Sequence, residues 1–117
     1  MHFDHERLDV YTVAVDFLAL AHGITSSFSS GHGDLVDQLR RAATSIVLNI
    51  AEGAGEFSKP EKARFYRMAR RSATECAAVL DVAARLELAT HSRCEPAREL
   101  LIRFVSMLIN MARALNR

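Results

Sequence analysis

The sequence predicts an all-α fold, an antiparallel up-down four-helix bundle. Three observations carry that prediction. Apolar residues recur at three- and four-residue spacing through four long stretches of the 117-residue chain. The two prolines and five glycines fall between those stretches or near their ends. Period-two alternation, the mark of strands, is scarce. Half the residues are hydrophobic and a quarter charged, a balance that packs a core. The length suits a single domain spanning residues 1–117.

The first helix is expected from about Glu6 to Thr25. Leu8, Tyr11, Val15, Leu18 and Ala19 give one apolar face, read as the core face. Val10, Phe17, Ala21 and Ile24 line up on the opposite side, which leaves only Asp9 and Asp16 as a wet edge. A helix apolar on two sides in so small a protein calls for a second partner, so Val10 and Phe17 are expected at an oligomer interface.

After the flexible Ser26–Gly33 stretch, Asp34 offers an N-cap for a second helix running to about Glu52. Its core face is Leu35, Leu39, Ala42, Ala43, Ile46 and Ile50. Beside it runs a polar stripe of Gln38, Arg41, Ser45, Asn49 and Glu52. Gly53 and Gly55 are expected to stop the helix as C-terminal glycines.

Ser58-Lys59-Pro60-Glu61 reads as a capping box with proline in the first turn. The third helix can run to about Leu88, on the order of 45 Å at 1.5 Å per residue. Phe65, Ala69, Ser72, Cys76, Val79, Leu80 and Ala83 share its core face. Ala89–Cys94 then reads as the turn, and Pro96 as the first turn of a last helix to about Asn116. That helix is apolar over an arc of about 240°, against the roughly 100° that an ordinary surface helix needs. Ile102, Met107 and Ile109 lie on the surplus and are expected at the oligomer interface. The alternative is a broad core.

Net charge is +1, so bulk electrostatics call for neither nucleic acid nor membrane. The distribution is uneven. Lys59, Lys62, Arg64, Arg67, Arg70 and Arg71 stand against the single acid Glu61, and Arg40 and Arg41 precede them. The first 37 residues hold six acids and one arginine. Such a basic face can neutralise phosphates of RNA or DNA. It can equally stay solvated, or pair with the acidic first helix of a neighbouring copy.

The stripe on the second helix lacks a histidine or a nucleophile–base pair. Gln38, Ser45, Asn49 and Glu52 are read as a structural polar network reaching Ser72 and Glu75 on the third helix. His2-x-x-His5 and His91-x-x-Cys94 each carry half a metal-site spacing without the remaining ligands, so neither metal nor cofactor is expected. Gly53-Ala54-Gly55 follows a helix and lacks the lysine of a phosphate loop. No catalytic constellation emerges, and the chain is read as a non-enzyme. Two scattered cysteines, a charged N-terminus and no apolar run near ~20 residues point to a reducing, cytoplasmic setting without a membrane span.

The run Gln38-Leu39-Arg40-Arg41-Ala42-Ala43-x-Ser45-Ile46-x-x-Asn49-Ile50-Ala51-Glu52-Gly53 resembles the signature of the four-helix-bundle proteins known as 23S rRNA intervening-sequence proteins. Phe65, Ala69, Arg70, Ser72 and Glu75 match the family's F-x-x-x-A-R-x-S-x-x-E stretch, and Leu8 to Tyr11 lies near its opening motif. The founding members resemble reading frames inside intervening sequences of bacterial large-subunit rRNA genes. The resemblance implies an up-down bundle that assembles as a homo-oligomer, with a pentameric ring as the expected form. Distant relatives are accessory proteins of diversity-generating retroelements that bind RNA and a reverse transcriptase, so both are implied as partners. One departure stands out: Val47-Leu48 replaces a frequent Pro-Ser. That keeps the second helix straight and places Leu48, an apolar residue, on its outer side.

Overall fold

Each of the four apolar stretches is a helix in the computed structural model, which describes residues 2–116. A 3₁₀ turn at Asp4–Arg7 leads into α1 (Asp9–Thr25), followed by α2 (Gly33–Gly55), α3 (Lys59–Arg85) and α4 (His91–Leu115). Each helix packs on its sequence neighbours and α4 returns against α1, while α1 and α3, and α2 and α4, stay apart among the described residues. Short connections between neighbours force the antiparallel, up-down course. Its register is read from three pairs: Arg40 reaches Thr25 across α1 and α2, Ser72 reaches Ser45 across α2 and α3, and Arg98 reaches Asp81 across α3 and α4.

The core is a column of Phe17, Ile24, Leu39, Ile46, Ile50, Leu80, Phe104 and Leu108 with alanines between them. Burying such side chains contributes about 1.5–3 kcal/mol each. The phase of α1 is rotated from that expected: Leu8, Tyr11 and Leu18 of the expected core face are half-buried against the core, while the other apolar face goes deepest. Val10 and Phe17, expected at an oligomer interface, are each 1% exposed inside the chain's own core. Val13, Ala14, Ala21 and Ile24 join them, whereas Val15 and Ala19 face outward. Bulk decides between two apolar faces: Phe17 and Ile24 bury more area than Ala19, and their side leaves Thr12 and Asp16 in water.

The arc of α4 is mostly a broad core. Leu100, Val105, Met107, Met111 and Leu115 pack against its edge, so Met107 is a core-edge residue. Ile109 is half-buried, and Ile102 alone stays strongly exposed, at 59%. On α3, Tyr66 is buried where Phe65 was expected, and Phe65 is half-buried.

The helix ends follow local chemistry. Ser58 Oγ accepts from Glu61 N–H at 3.4 Å and Pro60 sits in the first turn of α3, as its sequence predicts. The Glu61 carboxylate turns to Arg64 instead of completing a capping box. Asp34 lies inside α2 rather than capping it, since the helix begins at Gly33 with His32 before it. α4 starts earlier than expected: Thr90 Oγ1 accepts from Arg93 N–H at 3.3 Å, and Pro96 falls within the helix. α3 stops at Arg85, where Glu87 takes a left-handed φ of 59°. Gly53 and Gly55 are not in that conformation and lie within α2.

Candidate nucleic-acid interface

The basic residues expected to bind nucleic acid divide into those with partners inside the chain and those without. Arg40 Nε donates to Thr25 Oγ1 at 2.8 Å, and its Nη2 to Ser26 Oγ at 3.4 Å. Thr25 Oγ1 in turn donates to Ala21 O, so a buried hydroxyl and a half-buried guanidinium satisfy each other where α1 meets α2. Lys62 Nζ donates to Gly53 O at 2.9 Å and Ala54 O at 3.0 Å. Those carbonyls belong to the last turn of α2, where a cation is favoured by the helix dipole.

Arg64 is engaged twice. Its Nη2 pairs with Glu61 Oε2 at 3.0 Å, and its guanidinium lies over the Phe65 ring at 4.6 Å from the centroid. The hydrogen bond and charge of Glu61, helped by Glu56 and Glu52, raise the Arg64 pKa further above its ordinary value. Lys59 is exposed at the head of α3. Arg41, Arg67, Arg70 and Arg71 are exposed, and their guanidinium groups make no ion pair or hydrogen bond among the described residues. Arg67, Arg70 and Arg71 sit at three- and four-residue spacing on the outer side of α3, within one and a half turns of each other.

The polar stripe of α2 meets α3. Ser72 Oγ donates to Ser45 Oγ at 3.1 Å, and Asn49 Nδ2 donates to Ser45 Oγ at 3.0 Å and to Ser45 O at 2.9 Å. Gln38 Nε2 donates to Glu75 Oε1 at 3.4 Å. Glu52 makes none of these bonds and instead lines an open hollow with His22, Arg41, Thr44 and Leu48.

Among the described residues, no group of three or more His, Cys, Asp or Glu side chains is placed to hold a metal ion. His2 pairs with Glu6 and His91 with Glu95, each four residues away. Cys94 is buried while His91 is exposed, so that pair does not converge. Burial pushes the Cys76 thiol up to about 12, and Glu75 adds to the shift; burial also raises Cys94 and Tyr66. Both thiols are therefore protonated and inert at neutral pH. No helix among the described residues is long and apolar enough to cross a membrane.

The family model of the 23S rRNA-intervening sequence proteins matches residues 6–110. The chain belongs to that family. A solved relative in fold comes from Bacteroides thetaiotaomicron and is described as a protein of unknown function from the S23 ribosomal protein family. It superposes with a TM-score of 0.81 at 20% identity, over 88% of this chain and 97% of that one. At that identity the likeness concerns the bundle itself. No curated protein matches the sequence. Within this intervening-sequence family member, sequence reasoning found the basic run but missed the anchoring of Arg40 and Lys62. Their partners are Thr25 and two carbonyls, which leave no mark in a charge pattern.

Proposed function

We propose that this chain is a non-enzymatic, self-associating bundle whose α3 face binds RNA or DNA through the phosphates. One observation carries the reading: Arg67, Arg70 and Arg71 share the outer side of α3, exposed and without an ion-pair partner among the described residues. A guanidinium fork matches phosphate oxygens in pairs, and contacts of this kind hold a nucleic-acid backbone without reading its sequence. The acidic first helix leaves the net charge near zero, so attraction is confined to one side of the molecule. A ring, with the pentamer as the form the resemblance implies, would repeat the arginine face around one particle and add avidity. Work on RNA would place the protein in the cytoplasm.

The test is retardation of labelled single- and double-stranded RNA and DNA as salt is varied, beside light scattering for mass. Three phosphate contacts per chain give a slope of about −2 to −3 in log affinity against log salt. Charge reversal at Arg67, Arg70 and Arg71 together should abolish retardation and leave helicity intact. Folded wild-type protein that retards no nucleic acid at low salt would sink the binding reading. A mass equal to the 13.0 kDa chain at every concentration would sink self-association.

A further inference from the structure

We infer that copies of this chain join head to tail, the outer face of α1 on one copy seated in the α3–α4 groove of the next. The inference rests on the self-association proposed above and assigns its two surfaces.

The groove is a hollow of about 300 Å³ between α3 and α4, lined by Ala73, Thr74 and Ala77 on one side and Leu101, Ile102 and Val105 on the other. Small residues on α3 face larger ones on α4, which makes the surface concave and almost wholly apolar. Ile102, at 59% exposure, leaves most of an isoleucine side chain in water. Arg70 lies on the same edge of α3 as Thr74 and Ala77, one and two turns along, and its guanidinium is without a partner among the described residues. The groove is thus apolar with a positive end. Its other end is neutral, closed by the Arg98–Asp81 pair.

The opposite side of the bundle carries the counterpart. Val15 on α1 is 38% exposed and Leu48 on α2 is 54% exposed. The antiparallel register set by Arg40 and Thr25 brings them within a turn of the same level. Ala19, one turn on from Val15, keeps the ridge low enough for a close helix approach. Asp9 and Asp16 are exposed beside it, and α1 has no lysine or arginine between Asp9 and Thr25. The α1 face itself is apolar, convex and acidic, while Leu48 flanks it from the hollow that it lines with His22, Arg41 and Glu52.

Charge and shape select the pairing. Two α1 faces meeting each other would set Asp16 against Asp16, and two grooves would oppose concave to concave and Arg70 to Arg70. Only the unlike pair joins ridge to groove and acid to base. An interface of unlike faces is heterologous: it closes into a ring when the rotation per copy divides the circle, and otherwise grows a filament. In either form Arg70 lies at the rim of the contact, open to a phosphate as well as to an acid of the next copy, and Arg67 and Arg71 stay outside it.

The experiment blocks each face separately. Val15→Arg spoils the ridge and Ile102→Arg the groove; both sites are exposed, so circular dichroism should show unchanged helicity. Each variant alone should scatter light as a monomer. An equimolar mixture should give a dimer of twice the 13.0 kDa chain mass and nothing larger, because one intact ridge meets one intact groove. In parallel, Val15→Cys mixed with Ile102→Cys should form an interchain disulfide that neither variant forms alone, which reads the contact without a new charge. A wild-type oligomer whose assembly survives both arginine variants, or whose variants stay monomeric when mixed and fail to cross-link, overturns this pairing while leaving self-association standing. A monomeric wild type overturns both.

Discussion

Gly53 sits against the ring of Tyr66, so close that a Cβ on Gly53 would fall 2.7 Å from Tyr66 Cε1 and 3.0 Å from Phe65 Cβ. The glycine of the signature run therefore serves the approach of α3, and its backbone stays helical. Gly55, two residues on, has open space around it. The two positions should respond oppositely to alanine. Gly53→Ala gains about 1 kcal/mol of helix propensity but overpacks a buried ring, a cost of about 1–3 kcal/mol, so a net loss is expected. Gly55→Ala meets nothing and should gain up to about 1 kcal/mol. Urea unfolding of the two variants beside wild type checks the sign at each site.

What the sequence shows of the fold is its periodicity and some of its caps. Ser58 and Pro60 mark the head of α3 because a cap is local chemistry, settled within four residues. The phase of α1 was not legible: two apolar faces satisfy one period, and burial of Phe17 over Ala19 is decided by what the other helices leave to be filled. Pro96 pointed to a helix start, yet Thr90 supplies the cap and the proline falls six residues in. The basic run was visible as charge, but Lys62 spends its ammonium on carbonyls of a different helix, a tertiary fact. The phases of Ser45 and Ser72 make them possible partners, and the antiparallel register places their hydroxyls 3.1 Å apart.

Glu87 occupies a position that usually goes to glycine. Leu88 N–H bonds Ala83 O at 2.8 Å and Glu87 N–H bonds Ala84 O at 3.1 Å, the paired bonds of a Schellman end, with Glu87 in the left-handed region. A side chain there costs about 1–2 kcal/mol, against which glycine frees the unfolded chain by about 0.4–1 kcal/mol. Glu87→Gly should stabilise the bundle by about 0.5–1 kcal/mol, a rise of about 2–5 °C in melting temperature for a domain of this size. Glu87→Ala removes the same charge but keeps the strain. It should show no such rise in a thermal melt, which separates backbone from electrostatics.

Lys62 and the Arg67–Arg71 pair should come apart in function. Lys62→Met keeps an apolar stem but leaves the Gly53 and Ala54 carbonyls without their ammonium donor, a loss of about 1–2 kcal/mol. Its effect on nucleic-acid affinity should be slight. Reversing Arg67 and Arg71 to glutamate should do the opposite: stability within about 0.5 kcal/mol of wild type, since exposed residues without partners contribute little, and affinity lost. Paired denaturation and anisotropy titrations of both variants measure the separation. Equal loss of affinity in Lys62→Met would place Lys62 on the phosphate surface after all.

Cys76 sets a limit on stability at high pH. Its thiol is held protonated by burial, with a pKa of about 12 against an ordinary 9.0, so in the folded state it ionises later than in the open chain. Below pH 9 both states carry the proton and the group has no effect on the pH dependence. Between about pH 9 and 12 the unfolded chain loses that proton while the folded chain keeps it, so stability falls as pH rises. Three units correspond to a loss of up to about 4 kcal/mol. Tyr66, also raised by burial, acts with the same sign from its ordinary value upward. Cys76→Ala removes the thiol at a modest packing cost and leaves Tyr66 in place. The stability gap between wild type and Cys76→Ala, from urea unfolding at pH 7 to 11, should therefore change steadily in favour of the variant above pH 9. Parallel curves for the two proteins across that range would show that the Cys76 thiolate is tolerated where it lies.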